Sequence, residues 1–157
     1  MTDATGTGAA PPLVLVVGTG VMGDAIAAQA RLLGWSTAAT TDVAGSLAVL
    51  DEATPDAVIV LEHDHSVATP VLAAALERDV AYVGALGSRK MQAARDRSLR
   101  NRGVGDDLIE RLHCPTGLDL GARTPAESAV SIVAEMTAER RGRDAAPLRS
   151  TSNRISM

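Results

Sequence analysis

Five apolar residues run straight into a glycine-rich turn in LVLVVGTGVMG, from Leu13 to Gly23, and this junction restricts the fold more than any other stretch of the chain. Leu13 to Val17 reads as a buried strand. Val21 to Leu33 reads as a helix, with Met22, Ala25, Ile26, Ala28, Leu32 and Leu33 as its apolar positions and Gly34 closing it. A strand that gives way so abruptly to a helix needs a tight turn, which Gly18 permits. Gly20 lets the main chain approach a pyrophosphate, and Gly23 lets the helix lie close on the strand. The free N–H groups and partial positive charge of a helix start attract an anion. The G-x-G-x-x-G spacing in this setting therefore points to a phosphate-bearing ligand, the alternative being that the glycines serve only a compact turn.

The pattern repeats downstream. Trp35 to Thr41, Ala57 to Leu61 and Val80 to Gly84 read as strands, and Ser46 to Ala53, Thr69 to Glu77 and Ser88 to Asn101 as helices. The best-marked helix is the last. Thr124-Pro-Ala-Glu127 combines a Thr N-cap, Pro at the first helical position and Glu at the third, ahead of Ala129, Val130, Val133 and Met136. Parallel strands need crossovers, and helices usually supply them, so the alternation predicts an α/β fold: a doubly wound, mainly parallel sheet with helices on both faces. With Phe absent and one Trp and one Tyr in the chain, the core falls to Val, Leu, Ile and Ala, whose small side chains suit close helix-on-sheet packing.

The 157 residues fit one domain. Residues 1–12, rich in Gly, Ala, Thr and Pro, are expected to form a mobile leader, residues 13–141 the folded domain, and residues 142–157 a loose tail. A net charge of −4 without long runs of one sign offers no footprint for a nucleic-acid backbone. The start of the chain lacks the charges and apolar run of a signal peptide, and no apolar stretch is long enough to span a membrane. With a single cysteine, Cys114, these features lead to the expectation of a cytoplasmic protein.

Several side chains fall where the carboxyl edge of such a sheet gathers its ligands. Asp42, nineteen residues beyond Gly23, is placed to accept from a ribose 2′-OH or to cap the helix near Ser46. His63-Asp64-His65 follows the third strand. On an extended segment the two histidines point the same way, which suits ligand contact, plain loop polarity, or a metal shared with a third ligand such as Asp119. In GALGSRK, Ser88 is placed to cap a helix, and Arg89 and Lys90 to meet a phosphate or carboxylate or to pair with Asp96. Cys114, in RLHCP, reads as a small core residue, since its neighbour His113 would face the other way on a strand. No nucleophile, base and orienting group stand together, so the residues name a binding site without a reaction.

Taken in order, GTGVMG, EHDH, AYVGALGSRKMQAAR and RLHCPTGLDLGARTPAESAVSIVAE resemble the C-terminal Rossmann domain of the XdhC/CoxI family, accessory proteins of molybdenum hydroxylases such as xanthine dehydrogenase. The resemblance implies a Rossmann-like domain that binds molybdenum cofactor (molybdopterin), protects it and helps deliver it to a target enzyme. It implies a shared cleft formed by Gly18, Gly20 and Gly23, Asp64 and His65, Gly87, Ser88 and Arg89, and Gly117, Asp119, Gly121 and Arg123. It also implies a homodimer. Full-length members carry in addition an N-terminal domain with a characteristic cysteine, and three expectations follow: a separately encoded partner chain, retention of the cofactor-binding step alone, or redeployment of the domain for an ordinary nucleotide. Two other readings remain open at this point: an NAD-dependent oxidoreductase, supported by the glycine motif with Asp42, and a nucleotide-sensing domain.

Overall fold

The computed structural model describes residues 10–152, so the first nine residues of the expected leader and the last five of the expected tail lie outside the described residues. Five strands alternate with helices. They are β1 (Leu13–Val17), α1 (Val21–Leu32), β2 (Ser36–Thr40), α2 (Val43–Ala53), β3 (Ala57–Val60), α3 (His65–Glu77), β4 (Tyr82–Ala85), α4 (Arg89–Asn101), α5 (Asp106–Ile109), β5 (Leu112–His113) and α6 (Pro125–Arg140). The expected loose segment begins beyond α6, and its described part holds one 3-10 turn, Leu148–Ser150.

The sheet order is β2-β1-β3-β4-β5, with every pair parallel. The chain winds outward from β1 in both directions, which makes the sheet doubly wound and puts its topological switch point between β1 and β3. Alternation along the strands sorts the core into two layers. Val14 and Val16, Ala57 and Ile59, and Tyr82 face α1 and α6, where Ile26, Ala30, Ala129, Ile132 and Met136 meet them. Leu15 and Val17, Val58 and Val60, and Val83 and Ala85 face the opposite way, toward Leu50 of α2, the alanine-rich α3 and Leu99 of α4. The run Ala73–Ala75 keeps α3 close to the sheet, as expected of a core without Phe.

Three expectations need correction. Helix α3 begins at His65, not Thr69, because Asp64 caps it; Pro70 then lies inside the helix. Leu32 and Leu33 are 80% and 50% exposed, since α1 packs through Gly23, Ile26 and Ala30, a three-then-four spacing that turns the paired leucines outward. Val130 is likewise 44% exposed, and Ile132 takes the core position instead.

Candidate functional site

Main-chain bonds continue past the strand ends, one residue beyond β1, β3 and β4 and three beyond β5, and bring the post-strand loops to one level. Gly18 N donates to Thr40 O, Leu61 N to Val17 O, Leu86 N to Val60 O and Thr116 N to Ala85 O, at 2.8–3.1 Å. The glycine turn, the EHDH segment, the GSR turn and the segment after Cys114 thus share the carboxyl edge. A Cβ on Gly18, at φ +123°, would lie 3.0 Å from Leu61 Cβ and 3.4 Å from Glu62 N, so this glycine is what lets the β1 and β3 loops touch. Gly23 plays the packing role expected of it: its Cβ would meet Leu61 Cδ1 at 3.3 Å and Val16 Cγ1 at 3.5 Å.

Gly20 is different. Its φ is +99°, it is the N-cap of α1, and a Cβ there would meet nothing within 4 Å. No side chain caps α1. The first helical bond runs from Asp24 N to Gly20 O, which leaves the N–H groups of Val21, Met22 and Gly23 without intrahelical acceptors. Every other helix of more than four residues has its own cap: Asp42 on α2, Asp64 on α3, Ser88 on α4 and Thr124 on α6. The uncapped end opens on a cleft of about 290 Å³ lined by Gly18, Thr19, Gly20, Asp24, Ala27 and Arg31. Open donors, a helix dipole and an unfilled glycine cradle fit an oxyanion such as a phosphate.

The caps settle what several candidate side chains do locally. Asp42 Oδ1 accepts from Gly45 N at 2.7 Å, and among the described residues no donor is bonded to Oδ2. Asp64 Oδ1 accepts from Ser66 N at 2.8 Å, and that backbone bond, with help from the Ser66 hydroxyl, lowers the carboxyl's pKa. Because Asp64 starts a helix, His63 and His65 do not lie on one extended segment, and their shared orientation does not arise. His65 is the first helical residue, with Nδ1 3.5 Å from Ser98 Oγ. Among the described residues no three His, Cys, Asp or Glu side chains group to hold a metal, so His63, His65 and Asp119 form no such set. Ser88 Oγ accepts from Met91 N at 3.3 Å, while Arg89 and Lys90 are exposed and make no ion pair among the described residues, with Asp96 or otherwise.

Sequence reasoning missed Arg95. It is 2% exposed, on a helix that reads as mainly polar. Nη1 donates to Leu86 O at 2.6 Å and reaches Cys114 Sγ at 3.4 Å, and Nη2 donates to Glu62 O at 3.1 Å, so one guanidinium ties together the loops after β3, β4 and β5. The signal was helical spacing: Met91 and Leu99, the apolar residues of α4, stand four positions to either side. Cys114 is buried, as expected of a core residue.

Beyond β5 the chain is fixed to α6. Tyr82 Oη donates to Glu135 Oε2, and accepts from Thr116 Oγ1 at 2.6 Å; Gly117 N donates to the same Glu135 oxygen at 2.8 Å. His113 stacks on Tyr82, with ring centroids 4.4 Å apart, and its Nδ1 lies 3.4 Å from Glu135 Oε1. Burial and the bond to Glu135 raise the Tyr82 pKa. For Glu135 burial pulls upward, but the bonds from His113, Tyr82 and Gly117 outweigh it and hold the carboxyl below its ordinary value. Gly117, at φ +104°, is accounted for by packing: a Cβ would sit 2.5 Å from Ser131 Oγ. Asp119, Gly121 and Arg123 follow on the exposed loop that leads to α6. There Glu127 accepts from the N–H groups of Arg123 and Thr124, which lower its pKa and complete the expected capping box.

The arrangement offers open backbone donors and cationic side chains at one edge and, among the described residues, no assembled nucleophile and base. Among the described residues, no helix is long and apolar enough to cross a membrane. The chain is 43% identical over 61 residues to the uncharacterized protein YqeB of Escherichia coli, covering 39% of this chain and 11% of that protein. It is 36% identical over 87 residues to the molybdenum cofactor insertion chaperone PaoD of the same organism, covering 55% of this chain and 27% of that protein. A crystal structure of a xanthine dehydrogenase from Bacillus halodurans shares the fold, with a TM-score of 0.66 and 23% identity over 90% of this chain and 45% of that one. This chain thus spans less than half the length of these proteins. The family model of the XdhC Rossmann domain matches residues 14–136, most of the described chain, and the chain belongs to that family.

Proposed function

We propose that this chain is the cofactor-holding module of an accessory protein in the maturation of a molybdenum hydroxylase of the xanthine dehydrogenase type. It binds molybdenum cofactor, a phosphorylated pterin, at the carboxyl edge of its sheet. The observation that carries the reading is the N-terminus of α1, left open by Gly20 while the other long helices are capped. The N–H groups of Val21, Met22 and Gly23 hold the phosphate. Asp119 and the His63-Asp64-His65 edge supply donors and acceptors for the pterin, and Arg89 and Arg123 supply cationic contacts. When bound, the cofactor brings redox chemistry that is used in the recipient enzyme; this chain's residues bind it, orient it and limit its contact with water. Similarity to a molybdenum cofactor insertion chaperone over 55% of the chain supports the maturation role. The working unit is a cytoplasmic homodimer that meets its recipient hydroxylase.

A second reading, binding of NAD in an oxidoreductase or a nucleotide-sensing domain, is favoured by one observation: no donor among the described residues occupies Asp42 Oδ2 at the end of β2, where a ribose would lie. Denaturing freshly purified protein and identifying the released small molecule by mass spectrometry and pterin fluorescence separates the two. The expected product is a phosphorylated pterin. Recovery of NAD, with no measurable pterin affinity, overturns the proposal.

A further inference from the structure

Val130 of α6 and Leu33 at the end of α1 are left outside the core, and they meet on the outside of the molecule. Together with Leu118, Val133 and Ala134 they line an open groove of about 480 Å³ between the two helices. The bond from Leu118 N to Ser131 O, at 3.3 Å, lays the chain after β5 along α6. That segment adds Leu120, 57% exposed, which borders a further hollow with Val130 where α6 begins. Apolar surface held in water is unfavourable, and a contiguous patch of it marks an interaction site.

The outer face of α6 says what fits there. Glu127, Val130, Ala134, Thr137 and Arg141 recur at spacings of three and four and so form one stripe along the helix. Its middle is small, Ala134 with Ala138 beside it, which lets another helix come close. Thr137 adds no open polar group, because its hydroxyl donates to Val133 O at 2.7 Å. The two ends carry opposite charge. Glu127 stands near the carboxyl edge, its Oε1 without a donor among the described residues. Arg141 and Arg143 stand at the far end, and neither makes an ion pair among the described residues. Ala134 is seven residues from Glu127 and seven from Arg141. A two-fold axis at Ala134 therefore runs one α6 antiparallel to another and brings the Glu127 end of each copy beside the Arg141 end of its partner. The stripe is complementary to itself.

We propose that this face joins two copies of the chain, with α6 packed antiparallel on α6 about Ala134. The surface supplies an interface for the homodimer of the reading above, on which it rests. Gln29 and Leu33 lie on one flank of α1, and Asp24, Ala27 and Arg31, which line the open cleft, lie on the other. Both clefts thus stay accessible in the pair.

The test is sedimentation velocity of the full chain over a concentration series at low ionic strength, where the wild type is expected to run as a dimer. Val130→Glu puts a carboxylate on the stripe of both copies and is expected to weaken association about a hundredfold. Leu33→Glu should act in the same direction, and it decides if Val130→Glu does not fold. Leu148→Ser, at an exposed leucine outside the groove, should leave the dimer unchanged. Arg141→Glu is expected to weaken association about tenfold, and adding Glu127→Arg to it to restore the dimer. No restoration by that reversal overturns the antiparallel pairing. A dimer that survives both Val130→Glu and Leu33→Glu overturns this surface and leaves the homodimer standing on another. A wild type that stays monomeric across the series overturns the surface and the homodimer together.

Discussion

Gly20 and Gly117 stand toward opposite ends of one edge with nearly the same positive φ, +99° and +104°, for opposite reasons. At Gly20 the place of the missing Cβ is open; at Gly117 it is occupied by Ser131 Oγ at 2.5 Å, with Ile132 Cγ1 behind it at 3.2 Å. The β1 end of the edge leaves donors free, whereas the β5 end has its donors taken by Glu135. A glycine-rich motif therefore marks two kinds of position, one whose missing side chain leaves open space and one whose missing side chain leaves room for the protein.

The comparison breaks most easily at Gly117. Gly117→Ala adds a collision with α6 to the backbone strain and is expected to cost about 3 kcal/mol, against about 1–2 kcal/mol of strain alone for Gly20→Ala. Thermal unfolding of the two variants side by side checks this. Equal losses would mean that the β5 end is no more tightly filled than the β1 end.

The next largest effect is at Glu135, where three protein groups meet one carboxylate. Glu135→Ala leaves the Gly117 N–H without its acceptor and the Tyr82 hydroxyl with Thr116 Oγ1 alone, and is expected to destabilise by about 2 kcal/mol. The pH dependence follows from the lowered pKa of this group. Folding favours the carboxylate, so its stabilising contribution is complete above the ordinary value of 4.5 and is lost as the pH falls through the lower folded-state value. The stability difference between wild type and Glu135→Gln should therefore hold constant above about pH 5 and shrink below it. Denaturant unfolding across that range measures it, and a difference that grows on acidification would reverse the assignment.

The β1 end was legible because it is local. An apolar run, a glycine turn and a helical period lie within one short stretch, and the capping box at Thr124 is equally self-contained. The β5 end is assembled from distant parts. Strand β5 has two residues, too few for a period, and exists because Leu112 and His113 pair with Val83 and Gly84. Helix α5, with four residues, has no amphipathic signature to read either. Arg95 was hidden by composition: RKMQAARDRSLRN reads as a solvated face, and only the loops that close over its guanidinium bury it. Asp42, Asp64 and Ser88 were marked correctly as residues of the edge, but their spacing to the next helix could not say whether cap or ligand would use them. Leu32 and Leu33 were misplaced because a helix that packs through Gly23 and Ala30 needs few large side chains.

A smaller effect on the fold and a larger one on the ligand are expected at Gly20. The alanine variant should remain folded, with a melting temperature lowered by several degrees, and lose about tenfold or more in affinity for whichever phosphorylated ligand is released from the wild type. Calorimetric titration with that ligand, beside the melting curve, reads both. Unchanged affinity would show that the open end of α1 is not where the phosphate binds.

The smallest effect on the fold belongs to Asp42→Asn, and that makes it the cleanest probe of the ligand. Asn and Asp are about equally good N-caps, so the side-chain oxygen that accepts from Gly45 N at 2.7 Å survives and stability should change by no more than about 0.5 kcal/mol. What changes is the other oxygen. In the wild type Oδ2 is a carboxylate oxygen with no donor among the described residues; in the variant an amide nitrogen that donates takes its place. A ribose 2′-OH at the end of β2 would lose a charge-assisted bond, about tenfold in affinity. A pterin phosphate held by the first turn of α1 makes no use of that oxygen and should bind as before. Titrating wild type and variant with NAD and with a phosphorylated pterin therefore reads Asp42 as a ribose residue if NAD alone weakens, and as only the cap of α2 if neither ligand does.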